Sequence, residues 1–480
     1  MKNKAWIAGQ WRDAISGKMY PVYNPSNQQL IAEVPDMGEE DVAMAVREAY
    51  SAQKGWAGLT AKERSGVLRR WFNLITQNTD DLAKIVSLEC GKPLAEATLE
   101  IKYGASFVEW FAEEAKRVYG DIVPTSAKDR RLLVIKQPVG VAALITPWNF
   151  PSAMVTRKAA PALAAGCTTV IKPSEETPFS TVALAELAQQ AGVPPGVLNV
   201  VTCSRQSVAK VGESLSKSQL VSKLSFTGST HVGKILMAQG ADSMKRLSLE
   251  LGGNAPFIVF NSADIPLAAK HAVFTKYRNA GQTCICTNRL LVQSGVHDQF
   301  VEEMVKAVGA LKQGDPFTEG VNLGPLINEP AAKKVEQHVA DAVKKGGHLI
   351  VGGKRNSTLG GTFFEPSIVT GITTEMMMSQ QEIFGPVAGI IKFQEEEEAI
   401  ALANSTRYGL ASYVFSRDIG QVWRTSERLE FGMVGVNEGG ISTEMTPFGG
   451  VKESGFGREG SRYGMDEYQY IKYICMGNIK

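Results

Sequence analysis

The residues Val139-Gly-Val-Ala-Ala-Leu-Ile-Thr146, followed at once by Pro147-Trp-Asn-Phe-Pro151, decide how this chain is read. An apolar run of this length, closed by a corner with a proline at each end, describes a strand buried on both faces. Such strands belong to parallel sheets covered by helices, and the downstream sequence repeats the pattern. Residues 168–171 form a second apolar run, and Thr177-Pro178 supplies a cap and an N1 proline for a helix over 179–191. Residues 197–202 and 223–226 read as further strands, with helices over 207–215 and 230–239. The alternation predicts a doubly wound sheet with helices on both faces. A second block takes in strands at 256–260 and 290–292 around a helix near 268–277, so the boundary between two α/β domains falls near Leu251-Gly252-Gly253.

A chain of 480 residues exceeds what one core holds, which agrees with two or more domains. Hydrophobic residues make up 44% and charged residues 21%, and 51 basic against 49 acidic side chains leave a formal charge of +2. That balance, with no basic tract, argues against nucleic acid as a partner. The first eleven residues lack the apolar segment of a signal peptide. No apolar run nears the ~20 residues that cross a bilayer, so no membrane partner is expected. Six cysteines are too sparse for a disulfide framework and point to a reduced, cytoplasmic setting. The five histidines, His231, His271, His297, His338 and His348, have no metal-ligand spacing, and no metal site is expected. The four glutamates at 395–398 read as the start of a helix. Residues 131–137 and 467–473 look like exposed strands without a place in either sheet; they pair with another subunit or close a local hairpin.

Several motifs carry chemistry. In Gly281-Gln-Thr-Cys284-Ile-Cys286 the glycine and polar residues describe a turn into a cleft, presenting Cys284 as a nucleophile that acts as thiolate, although most buried cysteines are inert. In Glu250-Leu-Gly-Gly-Asn254 a carboxylate ends an apolar strand, where open α/β sheets place their ligands; it is a general base or merely a solvated strand end. No histidine stands near these motifs, which favours a carboxylate base. Asn149, fixed between two prolines, donates to a developing oxyanion or bonds its own turn. Lys172-Pro-Ser-Glu175 and Phe226-Thr-Gly228-Ser229-Thr-His-Val-Gly233 follow strands, and a helix N-terminus offers free N–H groups to a pyrophosphate. Their spacing is not GxGxxG.

Together these motifs resemble the aldehyde dehydrogenase superfamily. PWNFP, KPSE, FTGS, ELGGN, GQTC, EIFGP and PFGGVKESGFGRE occur in its order and spacing, from Tyr23-Asn-Pro25 to Tyr473. The resemblance implies an aldehyde dehydrogenase-like α/β fold: a Rossmann-type nucleotide-binding domain (1–121 and 140–252), an α/β catalytic domain (253–443) and a small β oligomerisation arm (122–139 and 458–480). It implies a homodimer or homotetramer in which the two orphan strands act as arms. Cys284 would attack the aldehyde carbon to give a thiohemiacetal, with the oxyanion held by the Asn149 amide and the Cys284 N–H. Hydride transfer to the nicotinamide would leave a thioester, hydrolysed by water that Glu250 activates. Thr146, Pro147, Trp148, Ser174, Gly228 and Ser229 would line the dinucleotide, Lys172 and Glu175 the adenosine ribose, Glu382 the nicotinamide ribose, and Phe384 the ring. Glu175 accepts from a ribose 2′-OH and repels a 2′-phosphate, so NAD is expected ahead of NADP.

Within the superfamily the chain looks most like the succinate-semialdehyde dehydrogenases. Met154-Val-Thr-Arg157-Lys158, the segment from Arg278 to Cys286 and Gly435-Val-Asn-Glu-Gly-Gly-Ile-Ser442 carry that likeness. It implies that Arg157, Arg278 and Ser442 hold the carboxylate of a semialdehyde, a task suited to bidentate guanidinium groups. Oxidation of succinate semialdehyde to succinate is therefore expected, with glutarate semialdehyde as the alternative. Ile383 and Thr443-Glu444-Met445 depart from the subfamily pattern and are expected to reshape the pocket. Cys286, two residues past the nucleophile, is either a redox partner for Cys284 or packing.

Overall fold

The computed structural model describes residues 2–479. Five strands form the parallel centre of the first sheet, in the spatial order Leu198–Val200, Thr168–Lys172, Val141–Ile145, Val221–Thr227, Arg246–Glu250. The chain runs outward on one side of Val141–Ile145 and then returns to its other side. That reversal opens a crevice between Val141–Ile145 and Val221–Thr227 at the carboxyl ends of the strands. Antiparallel strands finish both edges, Ala5–Ile7 with Gln10–Arg12 on one and Gly455–Phe456 on the other. Val141–Ile145 and Thr168–Lys172 are buried throughout, as strands covered on both faces must be.

Helices Pro178–Gln190, Val208–Lys217 and Thr230–Gly240 lie close to the expected ranges. The first is capped differently from expectation, since the Thr177 hydroxyl caps nothing. The Glu89 carboxylate, from helix Thr79–Cys90, instead accepts the N–H groups of Phe179 (2.8 Å) and Ser180 (2.9 Å). One carboxyl group there satisfies two of the free donors at the start of the helix. Burial pushes the Glu89 carboxyl up to about 8.

The second sheet has seven strands: His348–Val351, Ser367–Thr370, Val387–Phe393, Thr287–Gln293, Ala255–Val259, Ala411–Phe415 and Met433–Val436, parallel except for the first. The two sheets meet end to end. Residues 147–150 and 228–229, after strands of the first sheet, face residues 283–285, 382 and 384, before strands of the second, across a single cavity. Helix Glu396–Asn404 begins in the acidic run, where Glu396 pairs with Arg424 and Glu397 with Arg428.

The two orphan segments pair with each other from opposite halves of the chain. Gln469–Met476 runs antiparallel to Arg131–Pro138 over its full length, and Asp121–Val123 adds a third strand. A local hairpin of either segment is thereby replaced by a long-range sheet, and seven of the eight residues of Gln469–Met476 stay exposed. Among the described residues no helix is long and apolar enough to cross a membrane.

Candidate active site

The cavity between the sheets has a volume of about 540 Å³. Eleven residues singled out in the sequence line it: Pro147, Trp148, Asn149, Arg157, Gly228, Ser229, Arg278, Cys284, Glu382, Phe384 and Ser442. Glu250, Thr146, Lys172, Ser174, Glu175 and Cys286 do not reach its wall.

Cys284 arrives on a strained turn. Helix Ile265–Tyr277 ends into Arg278–Gly281, where Asn279, Ala280 and Gly281 all take left-handed backbone conformations with φ of 51°, 54° and 74°. For a residue with a Cβ this costs roughly 1–2 kcal/mol, so the surroundings must impose it. The Asn279 N–H donates to Glu96 at 2.9 Å, and the Gln282 side chain accepts from the Ile327 N–H at 2.9 Å. Gln282 and Thr283 are themselves buried, so the polar residues of the motif brace the turn rather than face solvent. Gly253 explains itself here: a Cβ on it would lie 2.3 Å from the Cys284 carbonyl oxygen. Burial pushes the Cys284 thiol up to about 12, against the pull of Arg157. The resting thiol is therefore neutral.

Asn149 commits one amide N–H to the Gln282 carbonyl at 3.0 Å and leaves its side-chain oxygen without a partner. Its second N–H is free for a ligand, and no acceptor among the described residues engages the Cys284 N–H. The pair can hold an oxyanion.

Glu250 is 3% exposed, and neither carboxylate oxygen has a partner. Gly449 lets it fit, since a Cβ there would stand 2.9 Å from Oε1. Burial, then the charge of Glu459, raises the carboxyl well above its usual range, and Arg157 and Lys158 pull it back only in part. An isolated, destabilised carboxylate is a suitable proton acceptor for water.

The two arginines differ. Arg157 is 2% exposed and bound to Glu459, with Nε at 2.8 Å and Nη2 at 2.6 Å, while stacking 4.0 Å from the Phe448 ring. Glu459 also binds Lys158. Arg278 has no carboxylate within ion-pair distance among the described residues and rests against the rings of Phe150 and Phe274. Ser442 shares a 2.5 Å hydrogen bond with the Tyr103 hydroxyl, which also accepts from Arg157 at 3.3 Å. Tyr103 and Glu459 drew no notice in the sequence. Glu459 lies within the quoted PFGGVKESGFGRE motif, but nothing local ties it to Arg157, 302 residues away.

Thr146, Lys172, Ser174 and Glu175 lie beside the cavity, at the carboxyl ends of Val141–Ile145 and its neighbour Thr168–Lys172. Lys172 is buried, with its nearest carboxylate, Glu175, at 3.6 Å; Glu175 in turn meets Arg205 at 3.2 Å. The buried hydroxyls of Thr146 and Thr227 lack partners, and helix Thr230–Gly240 opens onto the cavity behind Gly228 and Ser229. Unpaired donors, a helix N-terminus and a buried cation fit a dinucleotide phosphate and its riboses. The Gly253 N–H holds Glu382 at 3.0 Å, and Phe384 stands edge-on to Trp148 at 5.5 Å.

One expectation changes. Ile383 is buried in the core of the second sheet and residues 443–445 do not reach the cavity, so neither departure shapes the pocket directly. The Cys286 thiol lies 3.3 Å from the Lys276 ammonium and contacts the carbonyls of Lys276 and Thr287.

Cys284 and the Asn149 amide share the cavity between the sheets, and the buried Glu250 carboxyl lies at the carboxyl end of a strand of the first sheet. The chain belongs to the aldehyde dehydrogenase family, which it matches over residues 11–474. It is an NAD(P)-dependent oxidoreductase of aldehydes. It is 55% identical over 480 residues to the mitochondrial succinate-semialdehyde dehydrogenase of Rattus norvegicus, covering all of this chain and 91% of that protein. It is 53% identical over 478 residues to the glutarate-semialdehyde dehydrogenase of Pseudomonas aeruginosa, covering all of this chain and 98% of that one. A crystal structure of an NADP-dependent enzyme of E. coli superposes with a TM-score of 0.98 at 54% identity, covering 99% of this chain and 98% of that one.

Proposed function

We propose that the protein oxidises succinate semialdehyde to succinate. The observation that carries this reading is Arg278, a guanidinium without a carboxylate partner in the cavity that holds Cys284. A half-buried guanidinium with no ion-pair partner among the described residues can bind an anionic substrate group through charge-assisted hydrogen bonds. Arg157 and Ser442 complete the grip, Arg157 with its charge already shared with Glu459. Cys284 is the nucleophile, Asn149 and the Cys284 N–H hold the oxyanion, and Glu250 is the base. The dinucleotide, held by Lys172, Glu175, Gly228, Ser229 and Glu382, supplies the two-electron acceptor when bound. The likeness to the Pseudomonas enzyme supports glutarate semialdehyde as the second reading.

Initial rates at 340 nm with succinate semialdehyde, glutarate semialdehyde and butanal test the proposal. A preference for the carboxylated substrates is expected. Arg278→Ala should cut kcat/KM for the semialdehyde by roughly 10- to 100-fold, the worth of one charge-assisted hydrogen bond, while sparing butanal. Better turnover of butanal by the native enzyme would sink the substrate assignment and leave the dehydrogenase standing.

NAD is the preferred dinucleotide in this reading, because Lys172 and Arg205 counter the burial of Glu175 and hold its carboxyl below the usual range, ready for a 2′-OH. Glu175→Gln should narrow the NAD to NADP ratio of kcat/KM by about tenfold or more. An unchanged ratio would assign the choice elsewhere. The packing of Cys286 against Lys276 supports a structural thiol. The exposed face of Gln469–Met476 supports the arm as a subunit contact in a homodimer or homotetramer. The two large sheets and the three-stranded one support the expected division into nucleotide-binding, catalytic and arm segments, with Gly455–Phe456 added to the first sheet from outside them.

A further inference from the structure

One wall of the cavity carries a buried ion pair that the chemistry above does not use. Lys92 and Glu100, with side chains 1% and 0% exposed, bind each other directly. The Lys92 ammonium also donates to the Asn149 carbonyl at 2.8 Å and sits 4.0 Å over the Phe150 ring. The second carboxylate oxygen of Glu100 accepts the N–H groups of Ser152 (2.9 Å) and Ala153 (3.2 Å). Those donors open helix Ala153–Ala165, whose own N-cap side chain makes no capping bond. The pair thus holds the Pro147–Pro151 corner at Asn149 and just past its carboxyl end. The Asn279 side chain adds a second donor to the Asn149 carbonyl at 3.0 Å.

Stability alone is a poor reason for this pair, because apolar residues of equal volume replace buried ion pairs at no net cost in many proteins. What an apolar pair cannot provide is direction. With two donors on its carbonyl and one side-chain N–H committed to Gln282, Asn149 keeps little freedom beyond the one N–H that faces the cavity. We propose that Lys92, seated by Glu100, is a positioning residue for the Asn149 amide, setting the donor where the thiohemiacetal oxyanion forms. This rests on Asn149 being the oxyanion donor.

The test is a double-mutant cycle on the rate of the first turnover, read as the absorbance burst at 340 nm with succinate semialdehyde and saturating NAD. Dinucleotide affinity is followed in parallel by tryptophan quenching. Asn149→Ala should slow the burst by about 10²–10³-fold, the usual worth of one oxyanion donor. Lys92→Met should slow it by roughly 10- to 100-fold through misplacement, Lys92→Arg should recover part of the loss, and NAD affinity should hold. In the Asn149→Ala background Lys92→Met should cost less than about twofold, because the group it positions is gone. Equal losses in both backgrounds, or no loss in either, would overturn the positioning role and leave the Asn149 reading intact. A normal burst in Asn149→Ala would remove the oxyanion reading itself, and the Lys92 proposal with it. If Lys92→Met fails to fold, the charge-free Lys92→Met/Glu100→Gln protein takes its place in the same cycle.

Discussion

Glu250→Gln enzyme should complete one acylation per site and then stall. The substitution is nearly isosteric and breaks no hydrogen bond, since both carboxylate oxygens lack partners. What it removes is the proposed base. Loss of a general base costs about 10²–10⁴-fold, so steady-state turnover should fall by that factor while a burst of absorbance at 340 nm persists. A loss of turnover with no burst would mean that Glu250 also serves the acylation step, as activator of the neutral Cys284 thiol. In the native enzyme, deacylation should rise with pH through a range above that of an ordinary carboxylate, because only the ionised form accepts a proton. That limb should vanish in the variant. Stability gives an independent check. A carboxyl raised in the folded state contributes stability below its unfolded pKa and loses it as pH rises through the folded one. Glu250→Gln should therefore melt no lower than the native enzyme at alkaline pH.

Removal of Glu459 should have the largest effect on stability. Its carboxylate is the shared partner of Arg157 and Lys158, both almost wholly buried. Glu459→Ala leaves two cations in a desolvated site, and breaking a buried pair from one side costs about 3–5 kcal/mol. A clearly lower urea midpoint at neutral pH is expected. Burial opposes ionisation of Glu459, but Lys158 and Arg157 outweigh it and hold the carboxyl below the usual range. Its contribution is then present above the unfolded carboxylate pKa and lost as pH falls through the lower folded value, so the gap between native and variant should close in strong acid. A second readout reaches the chemistry. Without Glu459 the whole pull of Arg157 and Lys158 falls on Glu250, and the deacylation limb should move to lower pH. A limb that stays put would break the link between these carboxyls.

Much of this was legible because the deciding features are local. Two strands buried throughout, a proline corner and a glycine-flanked cysteine each show within a dozen residues, and their order along the chain places the crevice. What the sequence withheld depends on contacts between distant segments. Glu89 caps the helix at Pro178 in place of Thr177 because a buried carboxylate from another helix reaches two N–H groups at once. Arg157 and Arg278 look alike in sequence, and only Glu459, brought in from near the carboxyl end, separates a paired cation from a free one. Lys92 lies in the short connection between helices Thr79–Cys90 and Leu94–Glu114, and Tyr103 within the second, neither in a motif, so no spacing rule singles them out. Ile383 reads as a pocket residue by its neighbours, yet its side chain points into the core.

The segment beyond Phe448 supplies three things to residues made long before it. It gives Arg246–Glu250 its outer strand, gives Arg157 and Lys158 their counter-ion, and gives Arg131–Pro138 its full-length partner strand. Roughly 200 residues separate Glu250 from Glu459, which at ribosomal speeds of about 5–20 residues per second is on the order of 10–40 s of synthesis. Through that interval the nascent chain holds an open sheet edge, a hazard for aggregation, and two cations without a partner. The first sheet and the two buried cations are thus completed only by residues that follow Phe448.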